Sequence, residues 1–159
     1  MPRRADVSLL FDLFVASQRV RRVLADGMAG AGMRADEYAV YSLLFMHGPM
    51  TATEMTRHLG LPLSTVLDYL KAIDAAGHLE RVRHPDDARA VQLALNSKGI
   101  RAQVRANERW EVVRKQIEGS LRMPKAEVRA ALRALDEAAA EALETRRRVA
   151  NRSRTTARP

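Results

Sequence analysis

Apolar side chains at Val7, Leu10, Phe14, Val20, Val23, Leu24 and Met28 recur mostly three or four residues apart. That repeat places them on one stripe of a helix, so residues 6–28 predict a single long amphipathic helix. The stretch "GMAGAG" interrupts it with three glycines. A glycine-rich run can cradle phosphate, but this one follows a helix rather than a strand and lacks the third spaced glycine of a dinucleotide loop. It reads as a linker. "DEYAVYSLLFMHGPM" predicts a second helix stopped by Gly48 and Pro49, because proline cannot continue a helix and disfavours helical geometry in the residue before it.

A short third helix begins at "TATE", where the Thr51 side chain can accept from a free backbone amide and Glu54 can return the bond, and it closes at Leu59 and Gly60. Pro62, expected at a first helical position, opens "PLSTVLDYLKAIDAAG". Here Val66, Leu70 and Ile73 share one face and Gly77 is the stop. Two helices joined by a three- or four-residue turn containing glycine have the sequence form of a helix-turn-helix. The second helix turns Ser64, Thr65, Asp68 and Lys71 or Ala72 outward, a set suited to base edges and phosphates and equally to plain solvation.

The next stretch favours the former. Leu79 and Val82 start one strand, and Val91, Leu93 and Leu95 alternate with Gln92 and Ala94 in a return strand, the period of a half-buried ribbon. Pro85, Asp86 and Asp87 supply the turn, and Arg89 follows just past the tip, where Asp87 could bond its guanidinium and hold it towards a narrow minor groove. An exposed hairpin ion pair of little energetic consequence is the alternative. Helix-turn-helix plus ribbon makes a winged helix.

After the wing, Ile100, Val104, Trp110, Val113, Ile117 and Leu121 form one helical stripe. Pro124 opens a second stripe of Val128, Ala131, Leu132, Leu135, Ala139 and Leu143. A small winged core cannot bury both. A second copy across a two-fold axis would match them and the first helix, and a monomeric helical cap is the competing arrangement.

Composition narrows the chemistry. The chain has 159 residues, enough for one domain with a real core, and no cysteine, which excludes disulfides, zinc-thiolate sites and thiol redox sensing. No run approaches the roughly 18 apolar residues of a membrane span, and "MPRRADVSLLFDLF" lacks a cleavage signal, so the expected location is the cytoplasm, with no membrane partner. The net charge of +8 suggests an acidic partner, but Arg146, Arg147, Arg148, Arg152, Arg154 and Arg158 supply six of those charges, leaving +2 before them. Residues 51–99 are balanced, with six basic and six acidic side chains. Charge alone does not establish nucleic-acid binding. The arginine-rich end reads as a disordered, solvated tail.

The run from Glu37 to Gly99 resembles the winged-helix core of MarR-family bacterial transcription regulators. The pieces that carry the resemblance are "GPMTATEMTRHLGL", "LSTV", "GHLERV", "DAR" at the wing tip and "LALNSKG", all in order. It is dense over residues 37–99 and extends by architecture to about 7–145. The resemblance implies a homodimer that binds a palindromic operator in double-stranded DNA and responds to a small aromatic or anionic effector, as a ligand-responsive repressor. Two departures stand out. Asp68 occupies a place where the family commonly has arginine, which changes the bases it can read, and Asn96 replaces threonine at a helix start, where asparagine caps well.

The expected fold is therefore mainly α: a winged helix-turn-helix with a small β-ribbon wing, flanked by long N- and C-terminal helices forming a dimerisation region. Residues 6–30 are the N-terminal dimerisation helix, 34–96 the DNA-binding domain, 97–147 the C-terminal dimerisation helices and 148–159 the basic tail. The expected DNA-binding residues are Thr51, Arg57, Ser64, Thr65, Asp68, Lys71, Arg81, Arg83, Asp87 and Arg89. Two recognition helices would enter successive major grooves about 34 Å apart on an inverted repeat.

Relatives bind effectors between the dimerisation helices and the winged domain, which points to Tyr38, Tyr41, His47 and Trp110, each also a candidate for core packing. His47, His58, His78 and His84 are scattered and lack carboxylates at ligand spacing, so no metal or other cofactor is expected. No nucleophile–base pair or strained serine elbow is present, so no catalytic residue is expected and the protein is not expected to be an enzyme. A winged helix used only for protein contacts is the other function class, and the balanced charge of residues 51–99 speaks for it.

Overall fold

The computed structural model describes residues 8–83 and 91–156, with side chains through Val149. It contains helices α1 (Leu9–Gly27), α2 (Ala35–His47), α3 (Ala52–Leu59) and α4 (Leu63–Ala75), strands β1 (Leu79–Arg83) and β2 (Val91–Leu95), and helices α5 (Ser97–Gly119) and α6 (Lys125–Thr156). The mainly helical winged helix-turn-helix expected from the sequence is the fold observed. Residues 1–115 form one compact unit and 116–159 another.

Local chemistry explains the boundaries. Ser8 Oγ accepts from the Phe11 amide and starts α1. At α2 the Glu37 carboxylate accepts from the Arg34 amide at 3.0 Å and from Arg34 Nε at 2.7 Å. α3 has the predicted capping box: Thr51 Oγ1 accepts from the Glu54 amide, and Glu54 accepts from the Thr51 amide. Gly60 ends α3 at φ 63°, a left-handed conformation that glycine enters without steric cost. Pro62 corrects the expectation. With ψ at 146° it is extended and stands before the helix, so α4 begins at Leu63. Likewise α6 opens after Pro124, whose carbonyl accepts from the Glu127 and Val128 amides.

The ribbon pairs Leu79 with Leu95 and Arg83 with Val91 in antiparallel register. Met50 joins its far edge through paired bonds with Leu93, of 3.0 and 2.8 Å, so the segment before α3 is tied to the wing. The core lies among α2, α3, α4 and the ribbon: Val40, Met55, Val66 and Ile73 are almost wholly buried, and Tyr41, Leu44, Leu70 and Leu95 pack around them. Val66, Leu70 and Ile73 face inward as predicted.

Two expectations about the flanking helices change. α5 meets the core through Gly99, Ala102, Gln103, Ala106 and Val113, while Ile100 and Val104 of the predicted stripe are exposed. Side-chain contacts with α2, of Trp110 and Asn107 with Tyr38 and of Gln103 with Ser42, lie on the face of α5 that turns inward. α6 runs to Thr156, past Arg148, where a disordered tail was expected. Neither glycine nor proline interrupts residues 125–156, and arginine is a good helix former.

Candidate nucleic-acid interface

The helix-turn-helix presents its second helix outward beside the ribbon. Ser64, Asp68 and Lys71 are exposed and Thr65 is half-buried, on the side of α4 opposite Val66, Leu70 and Ile73. Arg57 is exposed in the last turn of α3. Arg81 and Arg83 are exposed on β1. Asp87 and Arg89, together with the rest of the expected wing tip, lie outside the described residues. The structure therefore brings Ser64, Thr65, Asp68 and Lys71 together on one helix and sets Arg81 next to it.

Two of the predicted cations and hydroxyls have further duties. Arg81 Nη2 lies 3.3 Å from Asp74 Oδ2, an exposed pair that links β1 to α4 and offsets part of the arginine's charge. Thr51 is committed to the cap, donating from Oγ1 to Glu54 as well as accepting from its amide. Its hydroxyl is thus a structural group first.

Sequence reasoning missed Leu63 and Leu67 on α4, each 46% exposed on the outward side. Leu67 lies off the Val66–Leu70–Ile73 stripe, which was the available signal, whereas Leu63, three residues before Val66 and seven before Leu70, continues that stripe to its exposed end. It also missed the second half of what Asn96 does. Asn96 Oδ1 accepts from the Lys98 and Gly99 amides, the expected cap, while Nδ2 donates to the carbonyls of Gly77 and Leu79.

A second site lies between α2 and α5. Tyr38 stacks on Trp110 with ring centroids 4.4 Å apart and donates to Asn107 Oδ1 at 2.7 Å. Gln103, only 4% exposed, donates from Nε2 to Ser42 Oγ, and its Oε1 is buried with no hydrogen-bond partner among the described residues. Tyr38, Ser42, Gln103 and Asn107 line a cavity of about 270 Å³ whose mouth is formed by Phe45 and Met46. Of the four candidate effector residues, Tyr38 lines it and Trp110 backs Tyr38. Tyr41 and His47 do not. Tyr41 bonds His78 Nδ1 at 2.7 Å, and burial, reinforced by the negative charge of Glu37, pushes its phenol up to about 12. His47 is exposed against the ring of His58.

A larger recess of about 570 Å³, between the end of α1 and the start of α2, includes Arg21 and Arg34. Both are paired, with Asp36 and Glu37. Among the described residues no group of three or more metal-ligating side chains comes together, and no helix is long and apolar enough to cross a membrane.

The family described as the sugar-specific transcriptional regulator TrmB matches residues 28–93. The HTH-type transcriptional regulator TtmR of Methylorubrum extorquens is 28% identical over 98 residues, 62% of this chain and 50% of that protein. The chain thus matches across half the length of that curated relative. Among solved structures, the regulator MOSR of M. tuberculosis in complex with DNA superposes with a TM-score of 0.74 at 18% identity, covering 85% of this chain and 98% of that one. A MarR variant from E. coli complexed with operator DNA gives 0.71 at 18% identity, covering 83% and 94%. BpsR of Bordetella bronchiseptica, whose DNA binding is regulated by 6-hydroxynicotinic acid, gives 0.72 at 19% identity, covering 87% and 98%. At these identities the likeness is one of fold, and the resemblance to MarR-type winged helices read from the sequence holds at that level.

Proposed function

We propose that this chain is a MarR-type, DNA-binding transcriptional regulator that acts as a homodimer on a palindromic operator, with α4 in the major groove and the ribbon reaching the minor groove. The observation that carries this reading is the outward face of α4, where Ser64, Asp68 and Lys71 are exposed, standing beside a ribbon in a winged-helix fold. The superposition on two regulators solved with DNA supports it. In this reading Ser64, Thr65 and Asp68 set base preference. Arg57, Lys71, Arg81, Arg83 and Arg89 contribute affinity through phosphates, with Asp87 orienting Arg89.

Regulation fits the cavity between α2 and α5. Its buried Gln103 and half-buried Ser42 offer hydrogen bonds and its Tyr38 an aromatic wall, while its lining carries no charged side chain. That lining favours an uncharged aromatic effector over an anion, and occupancy there would bias how α2 and the DNA-binding unit meet α5. Binding of the effector releases the operator, which makes the protein a ligand-responsive repressor.

A gel shift with the protein's own upstream intergenic DNA at two salt concentrations tests the reading. A sequence-specific complex that weakens steeply with salt is the expected result, and footprinting should protect an inverted repeat. The balanced charge of residues 51–99 favours one other reading, a winged helix that contacts only proteins. Absence of a complex with any duplex would overturn the DNA-binding reading and support that alternative.

A further inference from the structure

The outward surface of α4 has two ridges. Leu63 and Leu67, four residues apart and each 46% exposed, form an apolar one. Ser64 and Asp68 form the polar one beside it. Both leucines keep nearly half of their surface exposed, whereas Val66, Leu70 and Ile73 of the same helix are almost wholly buried. Leu67 also borders a recess of about 180 Å³ between α4 and the ribbon, with Lys71 and Arg81 at its rim. Leu67 thus shares a recess with two groups able to meet phosphates, Lys71 and Arg81, and with Asp74, which pairs with Arg81.

The composition of α4 limits what it can read. It contains no arginine, asparagine or glutamine, and its one side chain able to bond guanine bidentately, Lys71, lies in the third turn, beyond Leu67 and Asp68. Two base-edge features match the groups it does present: the C5-methyl of thymine, which takes an apolar partner, and the N4 amino group of cytosine, which takes a carboxylate. The first turns of a recognition helix are the part that reaches base edges, and Leu63, Ser64, Leu67 and Asp68 all lie there.

Building on the DNA-binding reading above, we propose that Leu67, backed by Leu63, is a specificity-determining residue that reads a thymine C5-methyl by apolar contact in each half-site. Asp68 accepts from a cytosine amino group on the adjoining ridge. These two contacts read pyrimidine edges beside those of Ser64 and Thr65, and the thymine contact depends on one methyl group per half-site.

Selection of the full chain against random duplexes supplies the operator. Binding is then titrated against the selected duplex and against copies in which single thymines are replaced by deoxyuridine, which keeps every hydrogen-bonding group and removes only the methyl. One position per half-site should weaken binding about fourfold, and the symmetric pair about fifteenfold, the effect of leaving one methyl contact unmade at each half-site. Leu67→Ala should bind the thymine and deoxyuridine duplexes equally. Deoxyuridine that changes affinity by less than twofold at every position would overturn the proposal. So would a full deoxyuridine effect that persists in a folded Leu67→Ala chain. The unaltered chain provides the first readout even if that variant unfolds. Enrichment of no duplex at all overturns the DNA-binding reading itself, and this proposal with it.

Discussion

Asn96 illustrates how much one side chain can hold. Its oxygen caps α5 and its nitrogen bonds the carbonyls of Gly77 and Leu79, the residues that lead from α4 into β1. Asn96→Ala is expected to lower stability by about 2 kcal/mol, the sum expected for a lost cap and a lost side-chain bond, measured by urea unfolding. Tyr41 gives a pH test. Its phenol holds its proton to about 12, against an ordinary value of 10, so the folded chain keeps a proton that the unfolded chain releases first. The associated stability is fully present below pH 10 and is lost as pH rises towards 12. Alkaline unfolding curves of the parent and Tyr41→Phe should differ in slope in that window and run parallel below it. The cap of Asn96 was legible in the sequence because the amides that donate to it lie two and three residues away. Its bonds to Gly77 and Leu79, and the pairing of Tyr41 with His78, were not, because they join positions that only the fold brings together.

At the level of elements, the signals with a local physical cause read well. The capping box of α3, the inward stripe of α4 and the two strands of the ribbon follow from hydrogen bonds and periodicities spanning a few residues. Thr51→Ala should lower stability by about 1 kcal/mol in thermal or urea unfolding, with any loss of DNA affinity following from that destabilisation, because the hydroxyl is occupied by Glu54. The faces of α5 were less legible. Periodicity ranked Ile100 and Val104 as inward by their size, whereas the buried face carries Ala102, Gln103 and Ala106. For the same reason the cavity lined by Gln103 could not be seen in the sequence: a glutamine on a helix reads as solvated until the fold buries it.

At the scale of the molecule, the apolar surface left over is concentrated on particular helices. Leu9, Leu10, Phe11, Leu13 and Phe14 of α1 are exposed, as are Leu132 and Leu143 of α6. Exposed apolar stretches on this scale mark association surfaces. The chain should sediment as a dimer, and Leu10→Glu combined with Phe14→Glu should shift it towards monomer in sedimentation velocity while circular dichroism keeps its helical content. Fold class was legible here because long stripes exceed what a small winged core can cover; the extent of α6 was not, since arginine-rich composition suits a solvated tail and a solvated helix alike. The bridge between Met50 and Leu93 leaves a practical corollary for chimaeras. Transplanting α3 and α4 alone into another regulator would cut a two-bond seam, so a portable DNA-reading cassette must run from Met50 through Asn96, carrying its own ribbon.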